Sequence, residues 1–408
     1  MGLTMVQKIL AKKSGKEKVV PGEVVWAKPD LISRYDYRIQ DFDIRIDPDR
    51  VALSIDHFFL ANSEGTAKTH RTMRELAKKY GIHFYDIGRT GTQFQLLAEE
   101  GLVRPGMLII NVDSHVSTFG AFGTYSIGVG EDFKQALLIG EVWLKVPETL
   151  KVNVSGKFAD GVTSRDLFER ILGDIGPAGA IGQVVEYSGP AVLAMSIDSR
   201  MVLCNLAQFF SAYTALIAPD QEICDYVKTR SDKPFEALQS DSDAQYVKVL
   251  NFDVSKLEPM VAAPPDPHHV KTVKEVAGTE IDQAFIGTCA CGRAEDLRLA
   301  ARILRGRRVH SRVRFLIAPI TPRIYHMAVR EGLTDIFLEA GAVVGPPGCG
   351  ACAGRIGYLL PGETCISTST LNIPGRMGSP EANIYLASAA TVAASAVEGR
   401  IADPRKFF

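Results

Sequence analysis

Ile286-Gly287-Thr288-Cys289-Ala290-Cys291-Gly292-Arg293 is the stretch from which the rest of the chain is read. An apolar approach runs into a Gly-bounded turn and then into the helix-patterned Ala294 to Leu304, so this is a strand, a turn and a helix with a thiol at the turn. A thiolate placed there is accessible and sits in the field of a helix N-terminus, which lowers its pKa. Cys349 follows Cys289 by sixty positions, within Gly345-Pro346-Pro347-Gly348-Cys349-Gly350-Ala351-Cys352-Ala353-Gly354, where Gly and Ala let the backbone fold tightly around a bulky ligand.

Outward from this segment the same alternation recurs. Short apolar runs (Val51 to Ile55, Met107 to Val112, Leu150 to Val154, Val313 to Pro319) alternate with helix-period segments such as Thr69 to Tyr80 and Glu131 to Leu138. That pattern predicts α/β architecture with mainly parallel sheets covered by helices. At 408 residues the chain exceeds one ordinary core, and domains of roughly 100–150 residues are the norm. Three α/β domains are expected: 1–147, 148–265 and 266–408. The first boundary falls near Val146 to Thr149, and the second at the Pro-rich Pro259 to His269, read as a linker. The Gly-bounded stretches Gly120 to Gly130 and Gly173 to Gly182 match no dinucleotide or phosphate-loop fingerprint, so their glycines are read as turns or close backbone approaches.

Lys plus Arg is 46 against 47 for Asp plus Glu, a formal net charge of −1, which gives no global electrostatic case for nucleic acid or an anionic membrane. No apolar run approaches the ~18–20 residues that span a bilayer, and Met1 to Lys18 has no signal-peptide core. A soluble cytoplasmic protein is expected. Seven cysteines, an odd number spread over a long chain, argue for reduced thiols rather than a disulfide framework.

Cys289, Cys349 and Cys352 form a trio able to hold a four-iron cluster by three corners and leave the fourth iron open as a Lewis acid. A rival reading adds Cys291 and closes a tetrahedral zinc site. A second constellation is Asp56-His57 after the strand Val51 to Ile55, with Asp113-Ser114-His115 after the strand Met107 to Val112. Loops at the carboxyl ends of parallel strands build the sites of open α/β sheets, and a carboxylate beside an imidazole orients it and holds its proton. His70, His83, His268, His269, His310 and His326 are read as solvated or structural, and Cys204, Cys224 and Cys365 as core thiols.

These residues resemble the aconitase superfamily, in particular the large subunits of 3-isopropylmalate dehydratase and homoaconitase. The resemblance runs from Gly22-Glu23-Val24-Val25 through Asp56-His57, Gly88-Arg89, Asp113 to Gly123 and Met201 to Asn205, on to the cysteine loops, Ser367-Thr368-Ser369 and Gly375-Arg376-Met377-Gly378. It implies that Cys289, Cys349 and Cys352 ligate a [4Fe-4S] cluster, and that the chain is a hydro-lyase acting on a small hydroxy carboxylic acid. It further implies that Asp56, His57, Asp113, Ser114 and His115 are catalytic and that Asn205, Arg376 and Ser369 bind substrate. The family's proton-abstracting serine sits on a mobile fourth domain for which this chain shows no counterpart, so a separate small subunit is implied as partner.

Several positions depart from the pattern. Cys-Thr-Asn reads Cys289-Ala290-Cys291, an expected acidic residue is Phe209, a later arginine falls at Tyr213, and a histidine is Phe94. Ser-Asn-Arg-Asn reads Ser369-Thr370-Leu371-Asn372, and Asn-Asp-x-Thr reads Tyr35-Asp36-Tyr37-Arg38. Loss of a buried bidentate arginine costs a carboxylate on the order of 2–5 kcal/mol, and Arg38 is expected to supply the replacement cation. The alternative reading is a divergent paralogue with a non-standard substrate, or with iron chemistry other than dehydration, such as handling a sulfur ligand with help from Cys291.

Overall fold

Strand order, more than strand content, explains how this chain positions its functional groups. The structure, a computed structural model, describes every residue except Met1, Tyr37, Arg38, Gln40 and Asp41. Arg38 therefore lies outside the described residues.

The chain divides into two compact units, one of Met1–Arg89, Gln93–Ser155 and Ala178–Phe252, the other of Thr90–Thr92, Gly156–Pro177 and Asp253–Phe408. The stretch 148–265, expected as a domain, is shared between them: 148–155 and 178–252 belong to the first unit, 156–177 and 253–265 to the second.

In the first unit a five-stranded sheet has the order His83–Tyr85, Val51–Ser54, Leu31–Tyr35, Leu108–Asn111, Tyr125–Gly128, with every pair parallel. Leu31–Tyr35 and Val51–Ser54 are buried along their whole length, as parallel strands covered on both faces must be. The chain runs outward from Leu31–Tyr35 through Val51–Ser54 to His83–Tyr85, then returns to build the other half from Leu108–Asn111. The order thus reverses between Leu31–Tyr35 and Leu108–Asn111, which opens a crevice at the strands' carboxyl ends. A four-stranded sheet (Thr214–Ile217, Gln183–Ser188, Glu148–Ser155, Lys248–Asp253) and an antiparallel ribbon of Val24–Ala27 with Val142–Lys145 complete the strands described here.

The second unit holds a seven-stranded sheet: Val270–Thr272, Met260–Ala262, Asn383–Ala387, Thr364–Ser367, Gln283–Ile286, Arg314–Ile317, Val343–Val344. The last five run parallel, and Met260–Ala262 is antiparallel to both of its neighbours. Its chain order also reverses, between Gln283–Ile286 and Thr364–Ser367. Helices Ala294–Leu304 and Ala389–Glu398 bury Leu297, Ala300, Ala301, Val392, Ala393 and Ala396 in one apolar core with Ile286, Ile317 and Ile366.

The structure corrects the linker expected at Pro259 to His269. Met260–Ala262 is a buried strand, with Val261 at 0 % exposure. The apolar run Met260-Val261-Ala262-Ala263 outweighs the flanking prolines, three of which fall in the turn that follows. The expected helix Glu131 to Leu138 begins as the 3-10 turn Gly130–Asp132 and becomes α-helical over Phe133–Ile139. Among the described residues no helix is long and apolar enough to cross a membrane.

Gly120 illustrates a close approach that only a missing side chain permits. A Cβ there would lie 1.7 Å from the Ala215 carbonyl oxygen, whereas at Gly65, near the start of helix Glu64–Tyr80, the nearest atom would be 3.8 Å away. Gly120→Ala is expected to destabilise the chain by about 3 kcal/mol or more in urea unfolding, against less than about 0.5 kcal/mol for Gly65→Ala; equal midpoints for the two variants would refute the packing described.

Candidate active-site residues

Three adjacent parallel strands end beside one another in the first unit, and each delivers an acidic or aromatic group. Leu31–Tyr35 ends in Tyr35 and Asp36, Val51–Ser54 leads into Asp56 and His57, and Leu108–Asn111 leads into Asp113, Ser114 and His115. The sequence therefore places both expected Asp–His pairs at one crevice, on either side of the strand that carries Tyr35.

The two pairs are built differently. Asp113 Oδ1 accepts the His115 backbone N–H at 2.6 Å and lies 2.8 Å from His115 Nδ1, while the Tyr35 hydroxyl donates to Oδ2 at 2.6 Å. Burial pushes the Asp113 carboxyl up, but the charge of His115 and the bonds from His115 and Tyr35 together hold it well below the usual carboxylate range. It is an anion that fixes the Nδ1 proton of His115. Nε2 of His115 is buried with no hydrogen-bond partner among the described residues, which leaves it as the ring atom for exchange of a proton.

For His57 the adjacent carboxylate is not the anchor. Its Nδ1 stands 3.8 Å from Asp56 Oδ1 and 3.9 Å from Asp36 Oδ1, both longer than a hydrogen bond. Asp36 instead clamps the loop, Oδ1 accepting the N–H groups of Asp56 (3.1 Å) and His57 (2.9 Å) and Oδ2 that of Phe58 (2.9 Å), with His70 Nε2 3.5 Å from Oδ2. His70 is thus a buried structural histidine, 2 % exposed. Asp56 accepts the Gln93 N–H at 2.9 Å, and burial raises its pKa to about 6 in spite of the nearby His57.

Ser114 donates to the Gln208 side-chain oxygen. Asn205, expected to meet substrate, is fully buried and donates its amide to Thr118 at 2.8 Å, within the short helix Ser114–Phe122. Its visible role is to hold that helix. Gln93 and Gln208 had no sequence signal as site residues, and Tyr35 and Asp36 stood out only as a departure from the family pattern, since each acts through contacts made across strands.

In the second unit the sulfur-bearing loops follow the same rule. Cys289 lies just beyond strand Gln283–Ile286, Ser367-Thr368-Ser369 ends the neighbouring Thr364–Ser367, and Cys349 and Cys352 follow Val343–Val344. Thr288 adopts φ +76°, a strained left-handed conformation that turns the chain at Cys289. Arg293, fully buried, holds the turn by donating to the carbonyls of Ala290 (2.9 Å) and Cys289 (2.8 Å). Arg165, paired with Glu169 at 2.7 Å, donates to the Ser369 carbonyl at 3.1 Å. The Thr368 hydroxyl ties the two loops through both the N–H and the carbonyl of Gly287.

Arg376 faces the sulfurs. It donates to Cys352 Sγ at 3.4 Å, and the charges of Cys352, Cys349 and Cys289 hold its guanidinium above its ordinary pKa, while its Nε has no hydrogen-bond partner among the described residues. Cys352 is held well below the usual thiol value, first by its hydrogen bond with Cys349 and then by Arg376, against burial. Cys291 behaves oppositely: burial and the neighbouring Asp296 push it well up, against the charges of Arg165 and Arg293. Its electrostatic neighbours are therefore Asp296, Arg165 and Arg293. Among the described residues no three His, Cys, Asp or Glu side chains are gathered closely enough to grip a single metal ion.

The chain matches the family described as Aconitase family (aconitate hydratase) over residues 36–280 and 271–399. It belongs to the aconitase family. The 3-isopropylmalate dehydratase large subunit of Heliobacterium modesticaldum is 43 % identical, with 100 % of each chain covered. The large subunit 1 of that name from Pyrococcus furiosus is also 43 % identical, with 99 % of each covered, and the Aquifex aeolicus large subunit is 42 % identical, covering 99 % of this chain and 97 % of its own. Among solved structures, Thermococcus kodakaraensis aconitase X in its holo form compares at a TM-score of 0.49 with 13 % identity over 90 % of this chain and 89 % of that one. Membership of this family makes the chain a hydro-lyase.

Asp56 gives this geometry a measurable signature. Its folded pKa of about 6 lies above the ordinary carboxylate value, so the native state holds the proton more tightly and loses stability as pH rises through that window. Asp56→Asn is therefore expected to be more stable than the parent by about 1–3 kcal/mol at pH 8 and nearly equal near pH 4, measured by urea unfolding. A variant less stable at pH 8 would contradict the buried, poorly compensated carboxylate.

Proposed function

We propose that this chain is the large subunit of a two-chain hydro-lyase that takes water from, and returns it to, a hydroxy dicarboxylic acid of the 3-isopropylmalate type. The observation that carries the reading is the convergence of Cys289, Cys349 and Cys352 on the Arg376 guanidinium. Three thiols in one electropositive setting, on Gly-rich loops, fit an iron–sulfur cluster with an incomplete cysteine set. Gly350 lets the Cys349 to Cys352 loop pack closely, because at φ +60° a Cβ there would stand 2.8 Å from the Phe285 ring. Cys289, Cys349 and Cys352 would hold a [4Fe-4S] cluster, and when bound that group supplies Lewis acidity toward a substrate hydroxyl.

The chain's own residues supply the rest. Arg376, with guanidinium N–H donors to spare beside Cys352, binds a substrate carboxylate. His115, its Nδ1 proton held by ionised Asp113, exchanges a proton at Nε2 with the departing hydroxide. His57 and Asp56 supply a second proton site at the same crevice, and Ser114, fixed by Gln208, orients the hydroxyl. Asn205 and Ser369 support these loops from behind, Asn205 through Thr118 and Ser369 through the carbonyl held by Arg165. A small subunit carrying a serine loop contributes the base that removes the carbon-bound proton. The relatives' name, large subunit, and their full-length similarity to this chain support such a partner.

Anaerobic loading with iron and sulfide, in complex with the small subunit, tests this. Wild type is expected to gain broad visible absorption and hydration activity toward 3-isopropylmalate's alkene. Cys352→Ala should lose the chromophore and at least roughly 100-fold in activity, whereas Cys291→Ala should keep the chromophore. A colourless zinc protein, or equal loss of metal in both variants, would overturn the assignment.

A further inference from the structure

The two Asp–His pairs are joined by a residue that family membership does not assign. Tyr35, 7 % exposed at the end of the central strand, donates its hydroxyl to Asp113 Oδ2 at 2.6 Å and stacks its ring on the His57 imidazole, with centroids 4.4 Å apart and planes inclined by 22°. One side chain therefore touches the carboxylate of one pair and the imidazole of the other. Phe94, 2 % exposed, meets the Tyr35 ring edge-on at 6.3 Å and lies 6.3 Å from the His115 ring, which Phe209 flanks at 6.4 Å.

We infer that Tyr35 is a positioning residue that couples the two pairs: its phenol locks the Asp113 carboxylate, and with it the tautomer of His115, while its ring fixes the plane of His57. This rests on the reading of these pairs as the proton-handling groups.

A carboxylate on a turn can rotate about χ2 and offer either oxygen to its neighbour. With the Tyr35 hydroxyl on Oδ2, Oδ1 is left to the imidazole and backbone of His115. Asp113 is an acceptor when ionised, so the hydrogen bond to it places the His115 proton on Nδ1 and leaves the lone pair on Nε2. The Asp56 and Asp36 carboxylates stand 3.8 and 3.9 Å from His57 Nδ1, and the stacked Tyr35 ring lies flat against the imidazole and restrains its plane. Burial raises the phenol's pKa further, so Tyr35 remains a neutral donor at every working pH.

Tyr35→Phe keeps the stack and removes the hydrogen bond; Tyr35→Leu removes both. In the loaded two-chain enzyme, Tyr35→Phe is expected to lower kcat roughly 10–100-fold with KM within about twofold of the parent. In the full chain labelled with nitrogen-15 histidine, it should move the His115 ring signals from the Nδ1–H tautomer toward a tautomer mixture and leave those of His57 in place. Tyr35→Leu should disturb both histidines. If Tyr35→Phe leaves kcat and the His115 signals unchanged while His115→Ala abolishes turnover, the coupling role fails and the site reading stands. If His115→Ala turns over normally, the site reading fails and the coupling role with it.

Discussion

A parallel sheet whose strand order reverses leaves two neighbouring loops diverging at its carboxyl edge, with no crossover to fill the gap between them. This chain has such a reversal in each unit, between Leu31–Tyr35 and Leu108–Asn111 in one and between Gln283–Ile286 and Thr364–Ser367 in the other. The two Asp–His pairs collect at the first, and Cys289 with Ser369 at the second. Both crevices are then held open by buried polar groups: Asp36 clamps three successive backbone N–H groups, and Arg293 and Arg165 grip the carbonyls of the loops they support. These bonds are made where water is excluded, so their partners cannot be swapped without leaving an unsatisfied group.

The α/β class was legible because apolar runs and helix-period segments alternate, and the Asp113–His115 contact was legible because both residues share one turn. Tyr35 and Asp36 were not, because their partners lie 78 and about 20 residues away, on strands whose lateral order no periodicity records. Spacing likewise offered Cys291 as a fourth ligand, and no spacing records that its electrostatic neighbours in the fold are Asp296, Arg165 and Arg293. Asn205 carried the right identity, but its buried bond to Thr118 gives it a supporting part. The Pro259 to His269 stretch was misread because proline density was weighed above the short apolar run inside it.

Electrostatics divides the labour. Asp113 is held as an anion by donors on both oxygens, while the more deeply buried Asp56 resists ionisation, so two carboxylates at one crevice titrate apart, Asp56 at about 6 and Asp113 well below the usual carboxylate range. Phe94, Phe209 and Tyr35 surround the histidines with rings, which lowers the local dielectric and strengthens each of these interactions.

The central claim is that three sulfurs leave one iron of a cluster free to meet the substrate. Mössbauer spectroscopy of the isotopically loaded two-chain enzyme, with and without 3-isopropylmalate, tests it most directly. The account predicts that one of the iron sites, and that one alone, changes its isomer shift and quadrupole splitting when substrate is added. Spectra in which every iron is unaffected by substrate would contradict it.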